Sequence, residues 1–273
     1  MKIGIFDSGF GGLDVLMGIK KHPALEDLDF VYLGDNARVP YGNKSQETIF
    51  QYTKEALDFL FRDDCHLVII ACNTASARAL RRIQQEWLSV HYPERRVLGV
   101  IIPAAERASR LKVEKLGVIA TDSTVKSRSY PEELNKLSPT LNVIQQSCPM
   151  FVPLIEHGEE SDDVWDRYLD LYLRTFLANS IDTLILGCTH YGIISDRIKE
   201  YFERNGRAVE IINQADIVGD SLAQYLKRHP EHKKKLAHTG SLSFYVTDDE
   251  VSFSYLARKY FGSAIDAKRI VLD

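Results

Sequence analysis

Two cysteines stand where an apolar, strand-like segment gives way to polar residues. The segment Leu67–Ala71 leads into Cys72-Asn-Thr74, and the segment Thr183–Gly187 leads into Cys188-Thr-His190. A thiol that follows a parallel strand lies at the edge of the sheet where open α/β sheets bind ligands. Two thiols facing one carbon suit acid/base chemistry, because one thiolate removes a proton while the opposite thiol donates one. Such a reaction inverts the configuration of the carbon.

The two-base hypothesis sets a spacing for the sulfurs. Each sulfur must approach the reacting carbon to roughly 3–3.5 Å, which places the two sulfurs roughly 7 Å apart. A disulfide needs roughly 2 Å, so a thiol redox protein is a distant alternative. A lone cysteine more often fills core space. The dipole of the helix that follows Cys72 is expected to lower the pKa of this thiol from about 8.5.

Zinc binding is the weaker interpretation of the same residues. Cys72, Cys188 and His190 offer three ligand types, but metal-pair spacing is missing and no fourth ligand is evident. Alone, a loop histidine such as His190 is more often structural than catalytic. We therefore expect no metal ligands at these positions.

The first glycine-rich loop, Asp7-Ser8-Gly9-Phe10-Gly11-Gly12, follows an apolar segment. It fails the dinucleotide pattern G-x-G-x-x-G, because Asp14 stands where the third glycine belongs. Its glycines are expected to let backbone N–H groups approach a small carboxylate. Asp7 is then available to tune Cys72 or to hold an ammonium group. The alternative is a plain strand-to-helix turn with Asp7 as its cap.

Three other polar positions are candidates. The loop Asp35–Asn43 offers Tyr41 and backbone donors near Gly42, although alone it resembles a surface loop. Thr121 begins a hydroxyl-rich segment that could bind a carboxylate or cap a helix. Glu156, predicted in a helix, could assist catalysis or remain an exposed carboxylate.

Apolar segments alternate with amphipathic segments of helical length. Most apolar segments lack alternation, which is typical of strands buried on both faces of a parallel sheet. Helices are predicted from about Ser45 to Arg62 and from about Ser161, where acidic residues follow in the first turn. The repeated β-α order predicts an α/β fold. The predicted strands are Lys2–Phe6, Phe30–Leu33, Leu67–Ala71, Val97–Ile101, Leu116–Ala120, Asn142–Gln146, Thr183–Leu186, Val209–Ile212, Leu242–Val246 and Arg269–Leu272.

A faint internal repeat relates the two halves of the chain. Lys2–Ser8 resembles Lys115–Thr121 at an offset of 113 residues (2 to 115). Leu67–Thr74 resembles Thr183–His190 at an offset of 116 residues (72 to 188). Two similar, pseudo-symmetric α/β domains with mainly parallel sheets are predicted, and their facing edges would place the two cysteines on opposite walls of one cleft.

Composition excludes several classes of protein. The chain has 273 residues, 45% hydrophobic and 26% charged, which is ordinary for a globular protein of one or two domains. The net charge of −4 gives no basic excess for nucleic acid, and the basic segment Lys227–Leu236 is interpreted as a solvated helix end and loop. No stretch approaches the roughly 18 apolar residues of a membrane helix, and we expect no signal peptide. Four cysteines without a C-x-x-C pair predict free thiols in the cytoplasm.

Four blocks of sequence together resemble the glutamate racemase family, within the aspartate/glutamate racemase superfamily. The blocks are FDSGFGGL (6–13), GDNARVPYG (34–42), ACNTAS (71–76) and LGCTHY (186–191). The resemblance spans residues 3 to about 220 in the family's order. The cysteine blocks indicate the superfamily, and the other two indicate the glutamate branch. The last block commonly continues with proline, whereas Gly192 follows here, which changes the rigidity expected of this loop.

The resemblance implies a cofactor-independent enzyme that interconverts L- and D-glutamate, usually as a homodimer, and supplies D-glutamate for peptidoglycan. It implies that Cys72 takes the proton from D-glutamate and Cys188 from L-glutamate. Asp7, His190 and Glu156 match assisting residues. Implied substrate contacts are Asp7, Ser8, Tyr41, Gly42, Asn73, Thr74, Thr121, Thr189 and His190.

The resemblance also implies discontinuous domains with the active site in the cleft between them. The expected division is 1–98 plus 209–273 for the first domain and 99–208 for the second. Two alternatives remain: a racemase for aspartate or another acidic amino acid, and a non-catalytic amino-acid-binding protein on the same scaffold. Retention of both cysteines argues against the second alternative. Neither nucleic acid nor a membrane is an expected partner.

Overall fold

The strands form two parallel sheets in the computed structural model, which describes residues 1–262 and 264–273. Each predicted strand is present, with its ends shifted by a few residues at most. One sheet has the order β10-β9-β2-β1-β3-β4, and the other has the order β6-β5-β7-β8. The strands are β1 (Lys2–Asp7), β2 (Phe30–Gly34), β3 (Cys65–Ile70), β4 (Arg96–Gly99), β5 (Lys115–Ala120), β6 (Asn142–Ser147), β7 (Thr183–Gly187), β8 (Glu210–Ile212), β9 (Leu242–Val246) and β10 (Ala267–Arg269).

The predicted repeat is confirmed by the pairing of the strands. In the first sheet β1 lies between β2 and β3, with β4 beyond β3. In the second sheet β5 lies between β6 and β7, with β8 beyond β7. The first sheet extends this shared order by β9 and β10. Both sheets are parallel throughout, and the wholly buried β3 and β7 explain the unbroken apolar stretches in the sequence.

The two predicted helix starts are confirmed by hydrogen bonds. The Ser45 hydroxyl accepts the Thr48 N–H at 3.2 Å, and the Ser161 hydroxyl accepts the Val164 N–H at 3.5 Å. Turns of 3₁₀-helix occupy 36–38, 41–43 and 189–194, and a π-helical segment occupies 83–88. The helices are α1 (Gly12–Lys20), α2 (Gln46–Arg62), α3 (Asn73–Arg78), α4 (Leu80–Arg82), α5 (Ser89–His91), α6 (Ile101–Arg110), α7 (Asp122–Ser127), α8 (Ser129–Leu137), α9 (Phe151–Glu156), α10 (Asp162–Asn179), α11 (Ser195–Arg204), α12 (Gln214–Arg228), α13 (Pro230–Lys233) and α14 (Glu250–Phe261).

Strand β8 pairs with β7 in the second sheet, and the expected division of the chain into domains stays a prediction. The segment 227–236 contains the end of α12, as predicted. The short α13, in which His232 is buried, takes the place of part of the expected loop. Within 1–262 and 264–273, no helix has the length and apolar character needed to cross a bilayer.

Leu57→Ala in α2 is expected to lower the free energy of unfolding by about 2–5 kcal/mol, because it empties a fully buried position. Lys54→Ala on the same helix is the control, and we expect a change within about 0.5 kcal/mol. Urea denaturation measures both. Equal losses for the two variants would contradict the orientation of α2.

Candidate active site

A cavity of about 200 Å³ opens beyond the carboxyl ends of the strands of both sheets. Its walls come from the loops and turns that follow β1, β2 and β3 in one sheet and β5, β6 and β7 in the other. This is the edge at which open α/β sheets bind ligands. The predicted site residues on its walls are Ser8, Tyr41, Gly42, Cys72, Asn73, Thr74, Thr121, Glu156, Cys188, Thr189 and His190.

Cys72 follows β3 and is 5% exposed. Its thiol donates a hydrogen bond to Ser8 Oγ at 3.5 Å. Burial, together with the negative charge of Asp7, raises the pKa of Cys72 to about 12, although the Ser8 contact and the Ala75 N–H act in the other direction. The expectation of a pKa lowered by the helix dipole is therefore wrong, because desolvation outweighs the effect of the short α3.

Asp7 lies behind the cavity wall and is completely buried. Its carboxylate accepts the Gly9 N–H at 2.9 Å and the Thr189 hydroxyl at 3.2 Å. Burial raises the pKa of Asp7, while the positive charge of His190 and these hydrogen bonds partly oppose that shift. Asp7 is absent from the cavity walls, and its implied contact with substrate stays a prediction.

The glycines after Asp7 make room for protein side chains. A Cβ atom at Gly11 would lie 2.7 Å from His190 Nδ1 and 2.7 Å from Thr189 Oγ1. A Cβ atom at Gly12 would lie 2.5 Å from the Cβ of Asp7. The expectation that these two glycines admit a ligand carboxylate is thus corrected: they allow α1 to pack against the residues that flank the cysteines.

His190 links Cys188 to Glu156. Its Nδ1 lies 4.0 Å from Cys188 Sγ, and its Nε2 lies 3.0 Å from Glu156 Oε1. Burial alone lowers the pKa of His190, but its contacts with Cys188 and Glu156 outweigh burial and raise the pKa to about 10. His190 therefore places a positive charge beside Cys188 at neutral pH. The two cysteines therefore have opposite electrostatic surroundings.

Glu156 is held from a distant part of the sequence. The Tyr260 hydroxyl of α14 donates to the Ile155 carbonyl oxygen at 2.7 Å, directly before Glu156. The Phe10 ring stacks on Tyr260 with centroids 5.8 Å apart and meets the edge of His190 at 4.9 Å. Sequence analysis missed Tyr260, because no local pattern connects α14 with the end of α9.

The two sheets are joined at the cavity by polar contacts. Asn73 and Gln214 exchange amide hydrogen bonds of 2.7 and 2.6 Å, and the Tyr130 hydroxyl donates to Asn73 Oδ1 at 2.6 Å. Thr74 and Thr121 have their hydroxyl oxygens 2.9 Å apart. Gln214 and Tyr130, also missed in the sequence, fix the Asn73 amide and leave one of its N–H groups without a partner within this network.

Tyr41 lines the cavity, but its hydroxyl is already bonded to a protein side chain. The hydroxyl donates to Asp35, which also accepts Arg38 Nε at 2.7 Å. Burial raises the pKa of Tyr41 well above its ordinary value. The neighbouring Gly42 packs closely on Thr121, since a Cβ there would lie 2.8 Å from the Thr121 Cβ. The loop after β2 thus reaches across to the second sheet.

Gly192, the departure from the family pattern, has a local explanation. Asn213 Nδ2 donates to Asp14 Oδ2 at 3.1 Å directly beside it. A Cβ at Gly192 would clash with Asp14 and would lie 2.9 Å from Asn213 Nδ2. The Asp14–Asn213 pair therefore fills the space that a larger residue needs.

Comparisons with known proteins match this chain nearly end to end. Residues 18–218 match the family model described as Asp/Glu/hydantoin racemase. A glutamate racemase of Aquifex aeolicus (strain VF5) is 39% identical over 269 residues, covering 98% of this chain and 97% of that protein. The relationship is therefore not confined to the cysteine blocks.

Two solved structures share the fold. The glutamate racemase of Francisella tularensis subsp. tularensis SCHU S4, solved in complex with D-glutamate, has a TM-score of 0.86 and 31% identity, covering 100% of this chain and 98% of that chain. A glutamate racemase isoform from Bacillus anthracis has a TM-score of 0.86 and 32% identity, covering 98% of this chain and 97% of that chain. The similarity extends to both sheets.

Glu156→Gln is expected to lower the pKa of His190 below the wild-type value of about 10, because it removes a negative charge 3.0 Å from Nε2. The variant should lose the His190 proton at a lower pH than the wild type. NMR titration of the isotopically labelled ring measures this shift. Asp163→Asn, an exposed substitution at the start of α10, is the control, and an unchanged His190 titration in Glu156→Gln would contradict the assigned contact.

Proposed function

This chain belongs to the Asp/Glu/hydantoin racemase family and, within it, to the glutamate racemases; from that membership we propose that it interconverts L- and D-glutamate by a two-thiol, two-base mechanism. One observation carries the mechanism: Cys72 and Cys188 occupy equivalent positions in two similar sheets and line one cavity. Supporting it, the two thiols have different neighbours: the Asp7 carboxyl acts on Cys72, and the His190 ring lies beside Cys188.

In the free enzyme, the proposed resting state keeps the proton on Cys72 and the negative charge on Cys188. The imidazolium of His190 stabilises that charge, and Glu156 holds the imidazolium. Forming a thiolate costs about 1.4 kcal/mol for each unit by which its pKa exceeds the ambient pH.

L-Glutamate is the substrate that this resting state is ready to accept, in line with the role that the family resemblance implies for Cys188. The Cys188 thiolate takes the α-proton, and the electron pair of the broken C–H bond moves into the α-carboxylate. Cys72 then donates its thiol proton to the opposite face of the carbon, which yields D-glutamate. The reverse reaction begins from a thiolate on Cys72 and a thiol on Cys188.

The α-proton of an amino acid is weakly acidic, so the site must stabilise the negative charge that develops on the α-carboxylate. The hydroxyls of Ser8, Thr74 and Thr121 and the amide of Asn73 are among the donors that line the cavity. Donors held in place before the reaction stabilise such charge without reorganising. The Asn73–Gln214–Tyr130 contacts provide this rigidity for the amide.

The wider role proposed for the protein follows from family membership. We propose that it acts in the cytoplasm as a homodimer, needs no cofactor for the proton transfers, and supplies D-glutamate for peptidoglycan synthesis. The competing substrate is aspartate or another acidic amino acid. The competing function is amino-acid binding without turnover. The presence of both cysteines on the cavity wall argues against it.

Incubation of the protein with D-glutamate in D₂O, without added cofactor, tests the activity. Loss of the circular dichroism signal together with deuterium at the α-carbon is expected, because the proton returned to carbon comes from an exchanged thiol. Turnover of aspartate alone would establish the competing substrate. Absence of exchange with every acidic amino acid, from folded and reduced protein, would overturn the proposed activity.

Cys72→Ala and Cys188→Ala are each expected to abolish racemisation, because each removes one of the two proton-transfer groups. Racemisation is measured by polarimetry, and folding by circular dichroism of the backbone. Cys65→Ala is the matched control, since this buried cysteine begins β3 at the opposite end of the strand from Cys72. Substantial racemisation by either active-site variant would overturn the two-thiol mechanism.

A further inference from the structure

Helix α13 and the residue before it bring two imidazoles and a carboxylate together, away from the catalytic cavity. His229 Nδ1 lies 3.2 Å from Glu231 Oε1, and His232 Nε2 lies 3.8 Å from the same oxygen. One ligand atom from each of the three residues lies within 4.8 Å of the other two. We propose that His229, Glu231 and His232 bind a divalent transition-metal ion, with Zn²⁺ as the best match.

The spacing of these atoms suits a tetrahedral ion. Bonds of about 2.0–2.2 Å to zinc separate neighbouring ligand atoms by about 3.4 Å. The two separations of 3.2 and 3.8 Å lie on either side of that value. Two imidazoles and one carboxylate form a ligand set that zinc uses, and water completes the coordination.

The local sequence holds the three ligands in place. Pro230 stands at the first position of α13, where its fixed backbone angle favours the helix. His232 stands three positions after His229, a spacing that puts their side chains on one face. The Tyr225 ring is tilted against His229 with a centroid distance of 4.5 Å, and it lies nearly parallel to His232 at 6.1 Å. These contacts restrict rotation of both imidazoles before an ion binds.

His66 of β3 orients His232 from behind. His66 Nε2 and His232 Nδ1 are 2.9 Å apart, and His66 is 1% exposed. To bind a metal ion through Nε2, the neutral His232 ring carries its proton on Nδ1 and donates it to Nε2 of His66. A hydrogen bond to the second ring nitrogen is the usual device that fixes a metal-binding histidine. His66 is therefore a positioning residue for the proposed site.

Cations surround the cluster, with Lys235, Arg95 and Arg96 near His66, and Arg96 and Lys235 also near His232. The same cations repel a metal ion, and Glu231 is the ligand that offsets them, so its loss should weaken binding strongly.

Zn²⁺ titration of tag-free protein tests the proposal, using wild type, His229→Asn, Glu231→Gln and His238→Asn. His238→Asn is the matched control: His238 also contacts a carboxylate, that of Asp27, at 3.0 Å, but within residues 1–262 and 264–273 it belongs to no group of three metal-ligating side chains. We expect His229→Asn and Glu231→Gln to weaken binding of one zinc equivalent at least tenfold. His238→Asn should bind like the wild type, and all four proteins should racemise glutamate equally without zinc.

X-ray absorption of the zinc-loaded wild type separates this site from the cysteines. Nitrogen and oxygen ligands, lost in His229→Asn, are expected. Sulfur ligands that persist in His229→Asn would place the metal on thiols and overturn the proposal. Equal zinc affinity in all four proteins would also overturn it. Because His229 is partly exposed and Glu231 is exposed, we expect the variants at these positions to fold.

Discussion

The opposite charges beside two equivalent thiols are the constraint on which the rest of the site depends. Asp7 disfavours a thiolate on Cys72, whereas the neighbour of Cys188 is the His190 imidazolium. Each charge is buried, so each needs its own partners. Gly9 and Thr189 supply those of Asp7, and Glu156 supplies that of His190. Asp7 ends β1 of one sheet, whereas Thr189 follows β7 of the other sheet. The Asp7 carboxylate is therefore stabilised by a hydroxyl from the opposite side of the cavity.

The fold provides this arrangement by placing the same strand order on both sides of one cavity. Strands β1 and β3 in one sheet correspond to β5 and β7 in the other. Each cysteine therefore emerges from the carboxyl end of a fully buried strand, where the packed interior fixes its position. The remaining freedom lies in the connection between the sheets, and it is limited by the Thr74–Thr121 and Asn73–Gln214 contacts.

The sequence allowed prediction of what is encoded locally. The ten strands, the caps at Ser45 and Ser161 and the cysteines at strand ends follow from apolar runs, hydroxyls and short-range order. Burial and long-range partners do not follow in this way: Gln214 lies 141 residues from Asn73, and Tyr260 lies 105 residues from Ile155. The pKa of Cys72 was predicted in the wrong direction for the same reason, since desolvation depends on chain segments far away in sequence.

The repeat also explains why the two halves must differ. At the 113-residue offset Asp7 corresponds to Ala120, and at the 116-residue offset His190 corresponds to Thr74. The proposed mechanism needs one thiol to donate a proton to the substrate carbon while the other group accepts one from it. An acid beside both thiols, or a histidine beside both, would give them the same surroundings. The proposed mechanism therefore requires symmetry in the sulfurs and asymmetry in the charges beside them, which is the pattern that these four positions have.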